Sequence, residues 1–171
     1  SSGERTNPWM QESSNKIIQS GEIVSFDTDM VGPYGYCADI SRTYVEGNKF
    51  SESQKKLYLM AVEQINHNSR LIKPGISFKE FTQKSWVLPE EYFGNRYSVM
   101  VHGIGLCDEW PAIRYPTDGG ERSGVFETNM TITVESYIGK VGGKEGVKLE
   151  QQYLVGQNGL ELMSHHPLED I

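Results

Sequence analysis

Apolar spacing changes character along this chain. From Gly21, the run GEIVSFDTDMVGPYGYCADISRTYVEG sets short β-like stretches on either side of Gly-Pro-Tyr-Gly, which predicts two strands folded back as a long hairpin. Past Ser51 the period lengthens. Leu57, Ala61, Ile65 and Leu71 form a stripe at helical spacing, Ser51 and Gln54 stand at capping-box distance, and Lys73-Pro74-Gly75 stops the helix. Ser77 and Glu80 repeat the capping spacing and open a shorter helix with Phe78 and Phe81 inward, and a third short helical stretch covers residues 89–95. From Val99 the pattern is mostly that of strands, in VMVHGIGL, MTITVESYI and GVKLEQQYLV. Residues 1–20 are polar and read as a lead-in or an interrupted helix, leaving residues 21–171 as the domain. The expected class is α+β, with a site carried on strands and helices covering one sheet face. The loop at 107–129, with Trp110, Pro111, Tyr115, Pro116 and Asp118, is long enough to imply a functional or interface role.

With 171 residues and 37 % hydrophobic content the chain can bury one core. No apolar run approaches the roughly 20 residues of a membrane span, and no N-terminal stretch has the pattern of a signal peptide. An acidic balance without a basic stripe argues against nucleic acid. Two cysteines, Cys37 and Cys107, make no disulfide framework, so a reducing cytoplasm is the simplest expectation. Strand alternation puts Cys37 on the face of Asp39, where a thiolate ligand competes with the commoner role of a small buried filler.

The charge deserves a chemical reading. The chain has 16 Lys and Arg against 23 Asp and Glu, a net charge of −7. Asp27, Asp29, Asp39, Glu135 and Glu150, with His102, lie in or beside these strand-like runs, flanked by Val24, Phe26, Ile40, Ile132, Val134, Leu149 and Leu154. Surface exposure is the default for such acids, but the half-buried pattern of their neighbours places them on a common floor. Five converging carboxylates without cations would repel or take up protons. Oxygen ligands with one imidazole fit a divalent metal site, with two ions as the expected number. His67, His165 and His166 stand in no such setting and read as solvated or satisfied side chains.

The ordered motifs GYCADISRTY, HGIGL, a strand ending in Glu135, GVKLEQQYLV and GLELMS resemble the catalytic domain of the creatinase and proline-dipeptidase (M24 peptidase-like) superfamily, over nearly the whole chain from Gly21. The resemblance implies the pita-bread fold, a curved and mostly antiparallel sheet covered by helices. It also implies metal-ligand roles for Asp39, His102, Glu135, Glu150 and an aspartate at 27 or 29. Pita-bread domains normally have a further helix and strand before the first aspartate motif, so the chain is expected to be the C-terminal part of a longer protein, a homodimer when whole.

Three positions depart from the peptidase pattern. Peptidases carry a second histidine seven residues after the HGIGL histidine, where this chain has Glu109; Ser136 and Tyr137 replace the Pro-Gly after the first glutamate ligand; and Asp27 and Asp29 lie twelve and ten residues before Asp39 rather than eleven. SFDTDM, GPYGYCADISRT, Tyr97 five residues before His102 and Asp108 six after it resemble instead the iron-dependent dimethylsulfoniopropionate lyases of that superfamily. That resemblance implies cleavage of the zwitterionic sulfonium to dimethyl sulfide and acrylate, six metal ligands, iron ahead of manganese or zinc, Asp108 as general base and Tyr97 as a positioning group. Trp110, Tyr34, Tyr36, Tyr97 and Tyr115 are the aromatic faces near the motifs that could meet a sulfonium cation. The alternatives are an Xaa-Pro peptidase or creatinase-like hydrolase, weakened by Glu109, and a non-enzymatic binding module, weakened by the complete ligand set.

Overall fold

The computed structural model describes residues 1–47, 49–119 and 123–171. Its centre is a five-stranded antiparallel sheet ordered β6-β5-β7-β8-β9, built from β5 (Val99–Gly103), β6 (Ala112–Arg114), β7 (Thr131–Gly139), β8 (Gly146–Gly156) and β9 (Gly159–Leu162). Against β8 lies the expected hairpin. Its outer pair is β1 (Ile23–Asp27) with β4 (Ser41–Val45), and its tip pair is β2 (Met30–Val31) with β3 (Cys37–Ala38). The ladder breaks on both arms, at Thr28-Asp29 and at Asp39-Ile40. Asp29 takes φ 35° there, left-handed backbone that a non-glycine residue rarely holds without a tertiary reason.

Strand alternation divides the sheet into two faces. The pairings Glu135↔Glu150, Thr133↔Gln152, Tyr137↔Lys148 and His102↔Thr133 put one set of polar side chains together. The intervening residues Val134, Ile138, Val147 and Leu149 are fully buried in the core. Against this second face packs α1 (Glu52–Leu71), followed by α2 (Phe78–Lys84) and the single turn α3 (Glu90–Phe93). Edge-to-face contacts of Phe126 with Phe78 at 5.0 Å and Phe81 at 5.7 Å hold α2 to the strand layer.

Both helix starts are where the capping residues indicated. Ser51 accepts from the Gln54 amide while the Gln54 side chain accepts from the Ser51 amide, completing the capping box. At α2, Ser77 accepts from the Glu80 amide, but the Glu80 carboxylate pairs with Lys84 at 2.7 Å. The buried stripe of α1 differs from the apolar one: Gln54, Tyr58, Ala61, Gln64, Ile65 and Asn68 are inside, with Leu57 and Leu71 only partly covered. The polar members are bonded, fully at Gln64 and through Oδ1 at Asn68, whose Nδ2 is buried without a partner. Gln64 donates to the Tyr115 hydroxyl at 2.5 Å and accepts from Ser136 at 2.6 Å, and Asn68 accepts from the Trp86 amide at 2.8 Å.

The opening residues are built into the domain. Gly3–Thr6 forms a short 3-10 turn, Thr6 and Asn7 are buried, and the Tyr137 hydroxyl donates to the Thr6 carbonyl at 2.7 Å. Asn7 donates to the carbonyls of Lys140 and Gly143, closing over the β7–β8 turn. A hydrophobicity pattern misses such a segment because hydrogen bonds hold it more than apolar burial does. The long loop after β5 likewise contains β6 and a 3-10 turn at Pro116–Asp118, while residues 120–122 lie outside the described residues.

Candidate metal centre

The structure brings the six sequence-indicated residues to one place on the polar face. Asp27 ends β1, Asp29 and Asp39 occupy the two ladder breaks, His102 comes from β5, Glu135 from β7 and Glu150 from β8. Asp39, His102 and Glu150 present ligand atoms within 4.8 Å of one another, and so do Asp27, Asp29 and Asp39, with Asp39 common to both groups. Asp39, His102, Glu135 and Glu150 are each at most 3 % exposed. Asp27 is half-buried and Asp29 exposed, so the floor opens at the hairpin side. Phe26, taken from sequence as part of a half-buried flank, is exposed on the opposite face of β1.

Distances around the imidazole fit an ion. His102 Nε2 lies 3.1 Å from Glu150 Oε1, 3.9 Å from Glu135 Oε1 and 4.0 Å from Asp39 Oδ2. Ligand bonds of about 2.0–2.2 Å leave neighbouring donor atoms roughly 3–4 Å apart. Nδ1 sits 3.0 Å from the Gly103 carbonyl, a hydrogen bond that needs a proton on Nδ1 and so turns Nε2 toward the carboxylates. Glu135 Oε1 is buried with no hydrogen-bond partner. An orphaned carboxylate oxygen costs free energy, and a cation beside it would remove the cost. The donor set and this orphan together fit a divalent metal.

The electrostatics carry the same strain. Burial raises Glu135 to about 8, with Lys148 opposing the shift and Glu150 adding to it. Burial and then the neighbouring charges of Glu150 and Asp27 push Asp39 up to about 6, and burial and Asp39 do the same to Asp29. Burial alone would lower His102, but its bond to Glu150 and the charges of Glu135 and Glu150 outweigh this and lift it to about 10. Glu150 goes the other way: burial would raise it, yet Lys148 and His102 bring it down to about 2. Protons and one lysine therefore hold the charge that metal ions would take over.

Several residues around the floor fix it. Ser41 Oγ donates to Asp27 Oδ1 at 2.5 Å and to Glu150 Oε2 at 3.0 Å, joining the hairpin to β8. Gln152 accepts from the Asp39 amide at 3.2 Å. Strand β5 can pass close under the following loop only because residue 103 is glycine, since a Cβ there would come within 2.1 Å of the Trp110 carbonyl oxygen. Lys148, inside the cluster, was not among the sequence candidates. Lysine belongs to the surface by default, but its position two residues before Glu150 on the same strand face was a readable signal.

Asp108 and Tyr97 stand at the rim. Asp108 is half-buried in the loop leaving β5, near enough for its charge to contribute to the raised pKa of Asp29, and its Oδ1 accepts from the Glu109 amide at 2.9 Å. Glu109, exposed and at φ 57°, has the position of the peptidase histidine. The half-buried Tyr97 ring lies 4.9 Å from Lys148 Nζ. Cys37 is half-buried and Cys107 exposed, so neither is a buried filler, and no cysteine joins the ligand groups found among the described residues. His67, His165 and His166 are exposed and away from the site; His67 meets the Lys84 carbonyl and His166 the Tyr44 hydroxyl. A cavity of about 370 Å³ reaches His102 from the loop side, and of the five aromatic candidates it is lined by Tyr36 and Trp110. Tyr115 is buried against Gln64 and Tyr34 is 95 % exposed.

A helix-backed antiparallel sheet with a carboxylate-rich centre containing one imidazole defines the class, a pita-bread metal-binding catalytic domain. The chain belongs to metallopeptidase family M24, which it matches over residues 1–157. Among curated proteins it is 41 % identical over 98 % of its length to the dimethylsulfoniopropionate lyase DddP of Roseovarius nubinhibens. It is 39 % identical, over the same share, to that of Roseobacter denitrificans, and it spans 38 % of each of these relatives. Among solved structures it resembles the prolidase of Pyrococcus horikoshii at 28 % identity with a TM-score of 0.81, covering 99 % of this chain and 48 % of that one.

Proposed function

We propose that this chain carries the catalytic centre of a metal-dependent carbon–sulfur lyase that splits dimethylsulfoniopropionate into dimethyl sulfide and acrylate. The observation that carries the reading is in the loop leaving β5: a half-buried carboxylate, Asp108, whose charge is felt at Asp29, is followed, where a peptidase needs an imidazole, by Glu109. The identity of 41 % to a lyase of that substrate supports it.

Cleaving a β-sulfonium acid requires removal of a weakly acidic proton α to the carboxylate. The metal centre, when loaded with iron or a similar divalent ion, supplies Lewis-acid polarisation of the substrate carboxylate. Asp27, Asp29, Asp39, His102, Glu135 and Glu150 are the residues that would hold it. Asp108 accepts the α proton, the C–H electron pair becomes the new C=C bond, and the C–S pair leaves with dimethyl sulfide. Trp110 and Tyr36, both on the cavity beside His102, offer faces for the sulfonium cation. Tyr97, whose ring lies 4.9 Å from Lys148 Nζ, positions substrate.

Prolidase-like peptide hydrolysis is the second reading, favoured by the fold shared with the Pyrococcus enzyme. A dipeptide carbonyl would, however, find the exposed carboxylate of Glu109 where its neutral or positive partner should be. The test is headspace detection of dimethyl sulfide from metal-loaded protein given dimethylsulfoniopropionate, beside a proline-dipeptide assay. Sulfide release without dipeptide cleavage is expected; dipeptide cleavage without sulfide release would replace the lyase reading with the peptidase one.

A further inference from the structure

Lys148 is the one residue in the cluster that the metal-centre reading leaves without a task. Its side chain is 2 % exposed, and its Nζ lies 2.5 Å from Glu135 Oε2, 3.6 Å from Glu150 Oε2 and 3.8 Å from Asp27 Oδ2. The Tyr97 ring lies 4.9 Å from it. Glu135 is thus divided between two partners, and Glu150 among three, since Ser41 also donates to its Oε2 at 3.0 Å. Oε2 goes to the ammonium, while Oε1 faces His102, at 3.9 Å for Glu135 and 3.1 Å for Glu150. Asp27 is divided in the same way, with Oδ1 bonded to Ser41 and Oδ2 toward Lys148.

A free carboxylate turns about its last bond and can offer either oxygen or both. A buried ammonium at 2.5 Å removes that freedom from Glu135. It also changes the total charge. With every carboxylate ionised and the imidazole neutral, as metal ligation requires, the five clustered carboxylates and one fixed ammonium carry four net negative charges, the charge that two divalent ions neutralise.

We propose that Lys148 is a positioning residue of the metal centre: by holding one oxygen of Glu135 and of Glu150 it turns the other oxygen of each toward His102, and its charge matches the ligand set to two divalent ions. The inference rests on the six residues being a metal centre and is independent of which reaction the centre serves. It does not make Lys148 a catalytic group, since no substrate need touch it.

The test uses chelator-stripped protein titrated calorimetrically with Mn²⁺, a probe that does not oxidise readily, in the parent chain and in K148M, K148R, E135Q and E135Q/K148M. The parent should bind two ions. K148M should weaken one of them at least tenfold, and K148R, which keeps the charge and the donors, should stay within about threefold of the parent. Because Lys148 acts chiefly through Glu135, adding K148M to E135Q should cost less than a further threefold. Should K148M alone fail to fold, E135Q/K148M, with the parent's net charge in the cluster, should still fold and bind as E135Q does. The proposal is overturned if K148M binds both ions as tightly as the parent, if K148R is no better than K148M, or if the double variant is unfolded or a further tenfold weaker than E135Q. A parent chain that takes up no Mn²⁺ would overturn the metal-centre reading itself.

Discussion

Arg42 offers a perturbation whose size can be worked from the structure. It is 3 % exposed and ties three parts of the chain together. Nη1 donates to the Glu150 carbonyl at 2.6 Å and to the Ser41 carbonyl at 2.9 Å, while Nη2 donates to Gln151 Oε1 at 2.7 Å and to the His166 carbonyl. Nε reaches the Pro167 carbonyl at 3.0 Å. The His166 and Pro167 acceptors are partly open and can turn to water when the guanidinium is gone. The other three are buried. R42M keeps much of the volume but leaves those three without a donor, at roughly 1–3 kcal/mol each. Relief from desolvating the guanidinium returns part of this, so the net loss should be about 3 kcal/mol. For a chain of this length that lowers the thermal midpoint by roughly 6–12 °C. The assay is urea unfolding of metal-loaded protein, with fluorescence and circular dichroism required to report one transition. R42K, which keeps the charge but has fewer donors, should fall between the parent and R42M. A loss below about 1 kcal/mol for R42M would refute the idea that Arg42 docks the hairpin and the C-terminal tail on β8.

Three further outcomes follow from the site. D108N keeps the shape of the proposed base but cannot take a proton, so sulfide release should fall at least ~100-fold while bound metal is unchanged; loss of metal, or near-parent turnover, would remove Asp108 from that role. Asp29 and Asp39, both raised to about 6, hold protons more tightly folded than unfolded, so their contribution to metal-free stability is present at low pH and fades as pH rises through about 6. Ions must displace those protons, so the thermal stabilisation by Mn²⁺ should grow from pH 5 to pH 7; a shift independent of pH in that range would show that the two carboxyls are not ligands. Five carboxylates with one imidazole suit iron or manganese better than zinc, so elemental analysis of protein from ordinary medium should find iron, and stoichiometric zinc with zinc-only activity would reverse that choice.

How much of this was legible in the sequence differs from one element to the next. Strands β5, β7 and β8 could be read because Val101, Val134, Val147 and Leu149 alternate with the polar face, and the helix starts because Ser51 and Ser77 are capping residues. The same alternation brought His102, Glu135 and Glu150 forward as candidates. Asp27, Asp29 and Asp39 were findable by charge and by their flanks, although the ladder breaks that aim the last two are tertiary and have no local pattern. Lys148 and the Gln64–Ser136–Tyr115 network were missed for one reason: propensities assign polar side chains to water, and only the assembled fold shows the partners that bury them. Strands β6 and β9 are three and four residues long, too short for periodicity to identify. The packing of Thr6 and Asn7 over the β7–β8 turn is likewise a matter of hydrogen bonds between distant residues.

The central claim is that six side chains from four strands and two ladder breaks form one centre for two metal ions. Anomalous diffraction from crystals of the manganese- or iron-loaded protein, recorded on either side of the metal edge, addresses it directly. The account predicts two peaks about 3.5–4 Å apart, one beside His102 with Glu135 and Glu150, the other beside Asp27 and Asp29, with Asp39 reaching both. A single peak away from His102, or Asp39, Glu135 or Glu150 pointing into solvent in the loaded crystal, would contradict it.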